Sequence, residues 1–311
     1  MLVTPIDVLE QYPMRKTKKQ KQAFLDAVQG YAETLGYVCR VEKGSFGCQN
    51  LVIGNSEHAK YLVTAHYDTC ARMFIPNVVT PCNLWLYLAY QILIVGILII
   101  AAVLCGLAVG LLFQNRTLSG ILGAVCYWIF LAMLLIGPAN LSNANDNTSG
   151  VVTLLEVLRT MPKNQRSKVC FVLFDLEEAG LLGSSSYRKV HKSQTNGQLV
   201  LNLDCVGDGD RILFFPTKKL KKNRRKLTSL YRACGYFGKK SIEVREKGFA
   251  FYPSDQMNFP YGVGVGAFHK SKQGIYHYGR IHTPKDTVLD MTNVNILRAA
   301  LTTFICCDEV N

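Results

Sequence analysis

Two long apolar runs in the middle of this 311-residue sequence restrict most strongly what the chain can fold into. Leu84 to Phe113 contains thirty residues without a charge, and Leu118 to Pro138 contains another twenty-one. Because a helix needs about 20 apolar residues to cross a bilayer, each run is long enough for one span. Only the polar residues Gln114 to Thr117 separate them, which predicts a transmembrane helical hairpin. The alternative, two buried core helices placed back to back, is rare in a soluble domain.

The overall composition agrees with such a division of the chain. Hydrophobic residues make up 49% of the sequence and charged residues 18%, and Arg116 is the only charge between Arg72 and Asp146. The net charge of +13 favours a protein beside an anionic lipid bilayer. No nucleic-acid-binding motif accompanies that charge, so we expect no nucleic acid partner. Seven of the nine residues from Lys218 to Lys226 are basic, and we favour a solvated helix face there over contact with lipid headgroups.

Outside the apolar runs, strand-like and helix-like segments alternate. Strands are predicted at residues 37–41, 50–53, 61–65, 169–174 and 199–203. Helices are predicted at residues 1–36, 151–158, 183–189, 219–234 and 293–306. This alternation indicates an α/β fold with a mixed, mostly parallel sheet sandwiched by helices. We therefore expect one discontinuous domain, residues 1–82 and 139–311, interrupted by a hairpin at residues 83–138.

Histidines and acidic residues follow the predicted strands, where α/β enzymes place their ligands. His66 and Asp68 come directly after residues 61–65. Residues two apart in a strand share a face, so Asp68 can lie beside the imidazole of His66, as a carboxylate often does beside a metal-bound histidine. Asp204 ends the strand at 199–203. Each of these residues, taken alone, also has an ordinary structural explanation.

Three further acidic or histidine-containing segments complete the set. Asp146 lies in a segment that alone indicates a helix cap, and His282 lies in a predicted loop. The adjacent Glu177 and Glu178 repel each other, and their burial is costly unless a cation is present. Together the clusters supply nitrogen and oxygen donors suited to zinc and to two-metal hydrolysis.

Six motifs occur in a fixed order along the chain: TAHYDT at 64–69, ANDNTSG at 144–150, LFDLEEAGLLGS at 173–184, LNLDCVG at 201–207, SDQMNF at 254–259 and HTPKDT at 282–287. In these motifs the sequence resembles the M28 family of zinc-dependent peptidases, which includes bacterial aminopeptidases. The resemblance covers nearly all of the chain outside the hairpin. It implies the zinc-peptidase fold, which belongs to the phosphorylase/hydrolase-like type.

The resemblance also implies two zinc ions per chain and a role for each site residue. Five side chains would hold the ions: Asp146 between the two, His66 and Asp204 on one, and Glu178 and His282 on the other. Glu177 would be the general base that deprotonates the attacking water and then protonates the leaving amine. Asp68 would orient His66.

The sequence departs from the family pattern in two places. His66 and Asp146 are eighty positions apart, whereas soluble relatives join these motifs by a short connection. The predicted hairpin occupies that gap, and an even number of spans returns the chain to the side it left, so the two halves of the site can still meet. In SDQMNF, relatives commonly have a histidine in place of Gln256, and we assign Gln256 no role.

We predict a di-zinc metallo-exopeptidase, an aminopeptidase, that hydrolyses N-terminal bonds of peptide substrates; its oligomeric state stays open. A single-zinc glutaminyl cyclase is the first alternative, because the HYD and FD-x-EEA strings are similar to those enzymes, although NDNTSG favours two metals. The second alternative is a non-catalytic membrane receptor or scaffold, but the five ligands and the base are all present.

The expected location is the bacterial cell membrane, which the chain would cross twice. Eleven cysteines, an odd number without a Cys-x-x-Cys pair, do not resemble a secreted disulfide framework and favour a reducing compartment. The N-terminus also lacks the pattern of a signal peptide. We therefore expect a cytoplasmic active site, although the few charges that flank the spans hardly discriminate between the two sides.

Overall fold

Runs of apolar residues form the strands of one ten-stranded mixed sheet in the computed structural model, which describes residues 2–307. The strands are β1 (Cys39–Lys43), β2 (Gln49–Ile53), β3 (Tyr61–His66), β4 (Val169–Phe174), β5 (Leu199–Leu203), β6 (Arg211–Pro216), β7 (Gly235–Phe237), β8 (Lys240–Val244), β9 (Gly262–Lys270) and β10 (Tyr276–His277). The helices are α1 (Asp7–Gln11), α2 (Lys18–Thr34), α3 (Leu84–Phe113), α4 (Arg116–Ile136), α5 (Gly150–Thr160), α6 (Leu182–Val190), α7 (Lys192–Thr195), α8 (Lys218–Lys222), α9 (Arg224–Leu230) and α10 (Met291–Cys306).

The strand order creates a crevice at the end of β3. Along the sheet the order is β1-β2-β4-β3-β5-β9-β6-β8-β7, with β10 paired to β9. Strands β4, β3, β5 and β9 are parallel neighbours, while β6 runs antiparallel to β9. The chain passes from β3 to β4 on one side and then to β5 on the other. Ligands of open α/β sheets bind at such a reversal, beyond the carboxyl ends of the strands. The predicted α/β class and the mixed, mostly parallel sheet are confirmed.

Both faces of the sheet are covered. On one face, Phe24 of α2, Leu154 of α5 and Leu301 of α10 belong to the same buried core as Val63 of β3. On the other face, Tyr187 of α6 packs with the apolar side chains of β4 and with the segment near residue 259. The strands β3, β4 and β5 are buried along their whole length, as expected for parallel strands covered on both sides.

Two predicted helices are interrupted. The first, predicted over residues 1–36, divides into α1 and α2, because Pro13 cannot donate a backbone hydrogen bond and Thr17 starts α2 with a capping box. The second, predicted over 219–234, divides into α8 and α9 at Asn223, whose side chain accepts a hydrogen bond from the backbone of Lys226 and caps α9. The first strand is also shifted, to Cys39–Lys43.

Helices α3 and α4 correspond to the two apolar runs, and each is long and apolar enough to cross a membrane. Among the described residues, α3 has three that are buried and α4 has none, so most of their apolar side chains face outward. The two helices pack through small residues, where Ser119 donates a 2.8 Å hydrogen bond to the carbonyl of Gly106. Strands from before and after this pair lie in one sheet, while the domain boundaries at 82/83 and 138/139 stay a prediction.

Candidate metal centre

The carboxyl ends of three adjacent strands bring the first candidate residues together. His66 is the last residue of β3, Asp204 directly follows β5, and Glu177 and Glu178 lie in the loop that follows β4. The pairing of β3 with β5 places Nε2 of His66 3.7 Å from Oδ1 of Asp204. His66 is 1% exposed, so this part of the site lies in the protein interior.

The carboxylate of Asp146 lies between two groups of donor atoms. Its Oδ1 is 3.3 Å from Nε2 of His66, and its Oδ2 is 3.0 Å from Nε2 of His282. Nε2 of His282 is in turn 3.6 Å from Oε2 of Glu178. We call His66 and Asp204 the strand-held pair, and Glu178 and His282 the loop-held pair. The donor atoms of each pair lie within 4.8 Å of one another and of an Asp146 oxygen, so the structure brings all five predicted ligands together.

Glu177 and Asp68 lie beside these donors. A carboxylate oxygen of Glu177 is within 4.8 Å of donor atoms of His66 and Glu178. Oδ1 of Asp68 is 3.5 Å from Nδ1 of His66 and accepts a 3.1 Å hydrogen bond from the backbone of Glu177. Its Oδ2 accepts a 3.3 Å bond from the backbone of Glu178. Asp68 therefore faces His66, as predicted, and also holds the glutamate loop, a contact that the motif spacing did not indicate.

Polar side chains without a predicted role fix the segment that carries Asp146. Asp286 accepts hydrogen bonds from the backbone of Asn145 at 2.8 Å and of Asp146 at 3.0 Å. The side-chain amide of Asn147 donates to the carbonyl oxygens that end β3 and β5, at 3.3 and 2.9 Å. The motifs ANDNTSG and HTPKDT contain these residues, but only the fold shows that one motif holds the other.

A buried guanidinium supports the same region from the N-terminal segment. Arg15 is 0% exposed and donates to the carbonyl of Tyr67 at 2.5 Å and to the hydroxyl of Thr148 at 3.1 Å. Burial lowers the pKa of Arg15 to about 10, an effect that the carboxylates of Asp68 and Asp146 oppose. No sequence pattern singled out Arg15, because its partners lie far along the chain.

The buried ionisable groups of the centre shift one another's pKa values. Burial raises the pKa of Glu177 well above its usual range, and burial, with the charge of Asp146, raises that of Glu178 to about 8. Burial lowers the pKa of His282, but the carboxylates of Glu178 and Asp146 outweigh it and raise this pKa to about 9. Burial also lowers the pKa of His66, but the nearby carboxylates, Glu177 foremost, outweigh burial and raise this pKa well above its usual value. The raised pKa values of these four groups mark a cluster of buried charges that a bound cation would compensate.

The separations between donors fit zinc. Nitrogen and oxygen ligands about 2.0–2.1 Å from a tetrahedral zinc ion lie about 3.3 Å from one another. The observed separations are 3.3 and 3.7 Å around His66 and 3.0 and 3.6 Å around His282. Asp68 behind Nδ1 of His66 adds the carboxylate partner that is usual for a metal-bound histidine. Each group of donors is therefore compatible with one zinc ion.

The SDQMNF segment contributes a carboxylate that the sequence analysis did not single out. Asp255 is fully buried, and burial raises its pKa to about 7, while the charge of His66 opposes the shift. Gln256, which was given no role, is structural here. It accepts a 3.2 Å hydrogen bond from Asn202 of β5 and donates a 2.6 Å bond to the carbonyl of Tyr252.

A sequence model of Peptidase family M28 matches residues 133–304, more than half of the chain. The match includes Asp146, Glu177, Glu178, Asp204 and His282, whereas His66 and Asp68 precede it. Leucine aminopeptidase 1 from Penicillium rubens is 34% identical over 87 residues, which cover 25% of this chain and 22% of that protein. The chain thus spans about a fifth of this curated relative.

Solved structures of two kinds share the fold. The LapA aminopeptidase of Legionella pneumophila matches with a TM-score of 0.58 and 15% identity, covering 99% of this chain and 69% of that one. The glutaminyl cyclase of Porphyromonas gingivalis matches with a TM-score of 0.59 and 15% identity, covering 98% and 97%. At such identities the likeness concerns the fold alone. The matched family model, which covers the motifs around the donors, identifies the chain as a member of peptidase family M28.

Proposed function

We propose that this chain is a membrane-embedded di-zinc exopeptidase that removes residues from the N-termini of peptides. The observation that carries the proposal is the position of Asp146, whose two carboxylate oxygens face separate donor groups. A shared carboxylate between two groups of ligands is the arrangement that two-metal hydrolases use. The names of two similar proteins, a leucine aminopeptidase and the LapA aminopeptidase, support an aminopeptidase over other peptidases.

In this proposal the strand-held pair would hold one ion, the loop-held pair would hold the other, and Asp146 would be a ligand of both. Bound zinc ions lower the pKa of a water molecule and stabilise the negative charge that develops on the scissile carbonyl. Glu177, beside both groups, accepts the proton of the attacking water and passes it to the leaving amine. Asp68 keeps Glu177 and Glu178 in position through their backbone N–H groups.

A glutaminyl cyclase is the second candidate, since enzymes of that kind share the fold. Two observations favour the peptidase. The Asp146 carboxylate has a histidine on each side, which suits two ions rather than one. The family model that matches the chain is also that of a peptidase. A non-catalytic receptor, the third candidate, would not need Glu177 next to the donors.

The site lies close to the ends of the two apolar helices, which we propose cross the membrane. Asn140 is four residues beyond the last residue of α4, Ile136, a distance of at most about 14 Å of extended chain. The side chain of Asn140 donates a 2.9 Å hydrogen bond to the carbonyl of Thr283, the residue after His282. The metal centre is therefore near the membrane surface. The free cysteines favour the cytoplasmic side.

The decisive test is a peptide-library digest with metal analysis on the same purified full-length protein. We expect about two zinc ions per chain, release of single N-terminal residues, loss of activity with a chelator and recovery with zinc. Glu177→Gln should keep the zinc but lower kcat by about 10²–10⁴-fold, since it removes the general base. One zinc per chain with cyclisation of an N-terminal glutamine would instead identify a cyclase. Zinc-loaded protein that leaves every peptide intact would support the receptor.

The membrane proposal has its own test. In cells that express the chain, we expect it to stay in the membrane fraction after alkaline carbonate washing, because two spans cannot be removed without detergent. A tag at the 114–115 turn should be protected from an agent applied on the side of the active site. Release by carbonate would show that α3 and α4 are not inserted.

A further inference from the structure

A cysteine lies among the donors of the loop-held pair. Sγ of Cys70, carboxylate oxygens of Asp146 and Glu178, and an imidazole nitrogen of His282 all lie within 4.8 Å of one another. Cys70 is 0% exposed. It follows the TAHYDT motif directly and belongs to none of the residues that the family resemblance assigned to the site.

We propose that the thiolate of Cys70 is a fourth protein ligand of the metal ion held by Asp146, Glu178 and His282. The inference depends on the proposed metal centre and adds a sulfur donor to one half of it. When the ion binds, the sulfur–hydrogen bond breaks, the proton leaves to solvent and the sulfur binds the metal. No oxidant or reductant takes part.

The geometry of the four donors fits a tetrahedral zinc site. A sulfur about 2.3 Å from zinc and an oxygen or nitrogen about 2.0–2.1 Å from it lie about 3.6 Å apart, well within the observed limit of 4.8 Å. The other separations in the group, 3.0 and 3.6 Å from His282, suit the same geometry. Soft thiolate ligands also favour zinc over magnesium, calcium or manganese.

The backbone fixes Cys70 in this place. Its carbonyl accepts a 3.1 Å hydrogen bond from the backbone of Asn140. The preceding residue, Thr69, exchanges hydrogen bonds with the buried Arg15, donating one from its backbone at 3.2 Å and accepting one at its hydroxyl at 2.9 Å. The sulfur is therefore carried by a segment that is held on both sides, as a preorganised ligand requires.

A sulfur ligand makes the two metal positions unequal. The position at His282 then has four protein donors, as closed structural zinc sites have, whereas the position at His66 has three, as catalytic sites with an open place have. Glu177 lies next to His66, beside the position that would have three protein donors. We infer that the ion at Cys70 is retained longer and that the attacking water binds mainly at the other ion.

Cobalt substitution of the full-length protein tests the proposal without measuring activity. Cobalt(II) bound to a thiolate has a sulfur-to-metal charge-transfer absorption in the near ultraviolet, which nitrogen and oxygen ligands do not produce. We expect this absorption in the wild type and in Cys205→Ser, and its loss in Cys70→Ser while the visible cobalt bands persist. Cys205 is the matched control, because it is also buried and lies next to Asp204 but belongs to none of the donor groups among the described residues.

X-ray absorption of the zinc-loaded wild type provides a measurement that needs no variant. We expect about one sulfur at roughly 2.3 Å for every two zinc ions. Two bound ions without a sulfur neighbour, or an absorption that disappears in Cys205→Ser instead, would overturn the role of Cys70 and leave the two-metal centre intact. A wild type that binds no cobalt or zinc would refute both the sulfur ligand and the proposed function, and metal analysis distinguishes this outcome from the first.

Discussion

The strand-held and loop-held pairs of the proposed metal centre are built differently. His66 ends β3 and Asp204 directly follows β5, two paired and fully buried strands, so the register of the sheet sets their separation. Glu178 and His282 lie on loops, and His282 has a left-handed backbone with φ of 61°, which a residue other than glycine rarely adopts. The second pair therefore depends on contacts that surround it, not on the sheet.

For Glu178 that contact is the carboxylate of Asp68, and for the His282 loop the contacts come from the segments that flank the apolar helices. The backbone of Met73, before α3, donates a 2.7 Å hydrogen bond to the carbonyl of His282. Asn140, after α4, binds the carbonyl of Thr283. Loops open locally at a smaller free energy than core strands do. The strand-held pair should therefore be as stable as the sheet, whereas the position of His282 depends on the connections to the hairpin.

Asp146→Ala should have the largest effect, because Asp146 is the single side chain that both pairs share. We expect catalytic activity to fall by more than about a thousandfold, as the loss of several kcal/mol of metal-based stabilisation implies. Zinc should fall from two ions to one or none, since each group loses a donor. Activity assays and metal analysis of the purified variant measure both quantities. If two ions remained bound, Asp146 would not join the two halves.

The parts of the fold that the sequence predicted are those whose pattern is local. Strands β3, β4 and β5 are continuous apolar runs, and α3 begins and ends where its apolar run does. Strand β9 escaped prediction because Gly262, Gly264 and Gly266 interrupt its apolar residues, and glycine is unusual within strands. The fold explains why glycine occurs there. A Cβ at Gly264 would lie 2.7 Å from the side chain of Gln256, so glycine leaves room for the segment that packs on this face of β9.

The same division applies to the site. The motifs indicated the candidate ligands, and His66, Glu178 and Asp204 also lie at or after the ends of buried strands, which is visible in the sequence. They could not indicate the residues that hold the ligands in place. Asp286 binds the backbone of Asp146 across 140 positions, and Arg15 binds Thr148 across 133 positions. Only the folded chain brings such partners together.

Asn140→Ala should have an intermediate effect, limited to the loop-held pair. It leaves the carbonyl of Thr283 without this hydrogen bond, at a cost of about 1–3 kcal/mol for a buried group. If most of this free energy is lost in the His282 loop, the zinc affinity of the loop-held position should fall by about tenfold. Metal titration should show one weakened ion, and hydrogen exchange should rise over residues 280–286 but not over 61–66.

Asn258→Ala is the matched control for this comparison. Its amide donates hydrogen bonds to the hydroxyl of Ser184 at 2.7 Å and to the carbonyl of Leu181 at 3.3 Å, neither of which is part of the His282 loop. We expect both zinc affinities to stay within about twofold of the wild type, because the lost hydrogen bonds do not contact His282 or Thr283. Equal weakening of both ions in Asn140→Ala would mean that the two pairs do not differ in the way proposed.

Gly106→Leu should have the smallest effect on the metal centre, although it disturbs the hairpin itself. A Cβ at Gly106 would lie 2.6 Å from the carbonyl of Ser119, so the side chain must push α3 and α4 apart. Gly96→Leu is the control, because no heavy atom lies within 4 Å of its Cβ position.

Gly106 is about 33 Å along α3 from its first residue, and the connections at Met73 and Asn140 lie beyond that end. We expect kcat/KM to change less than about threefold in both variants, since the hydrogen bonds of those connections, and not the packing of the distal helices, position His282. The opposite outcome would be a loss of activity in Gly106→Leu as large as that in Asn140→Ala, with no loss in Gly96→Leu. It would show that the packing between α3 and α4 affects the position of the loop-held pair.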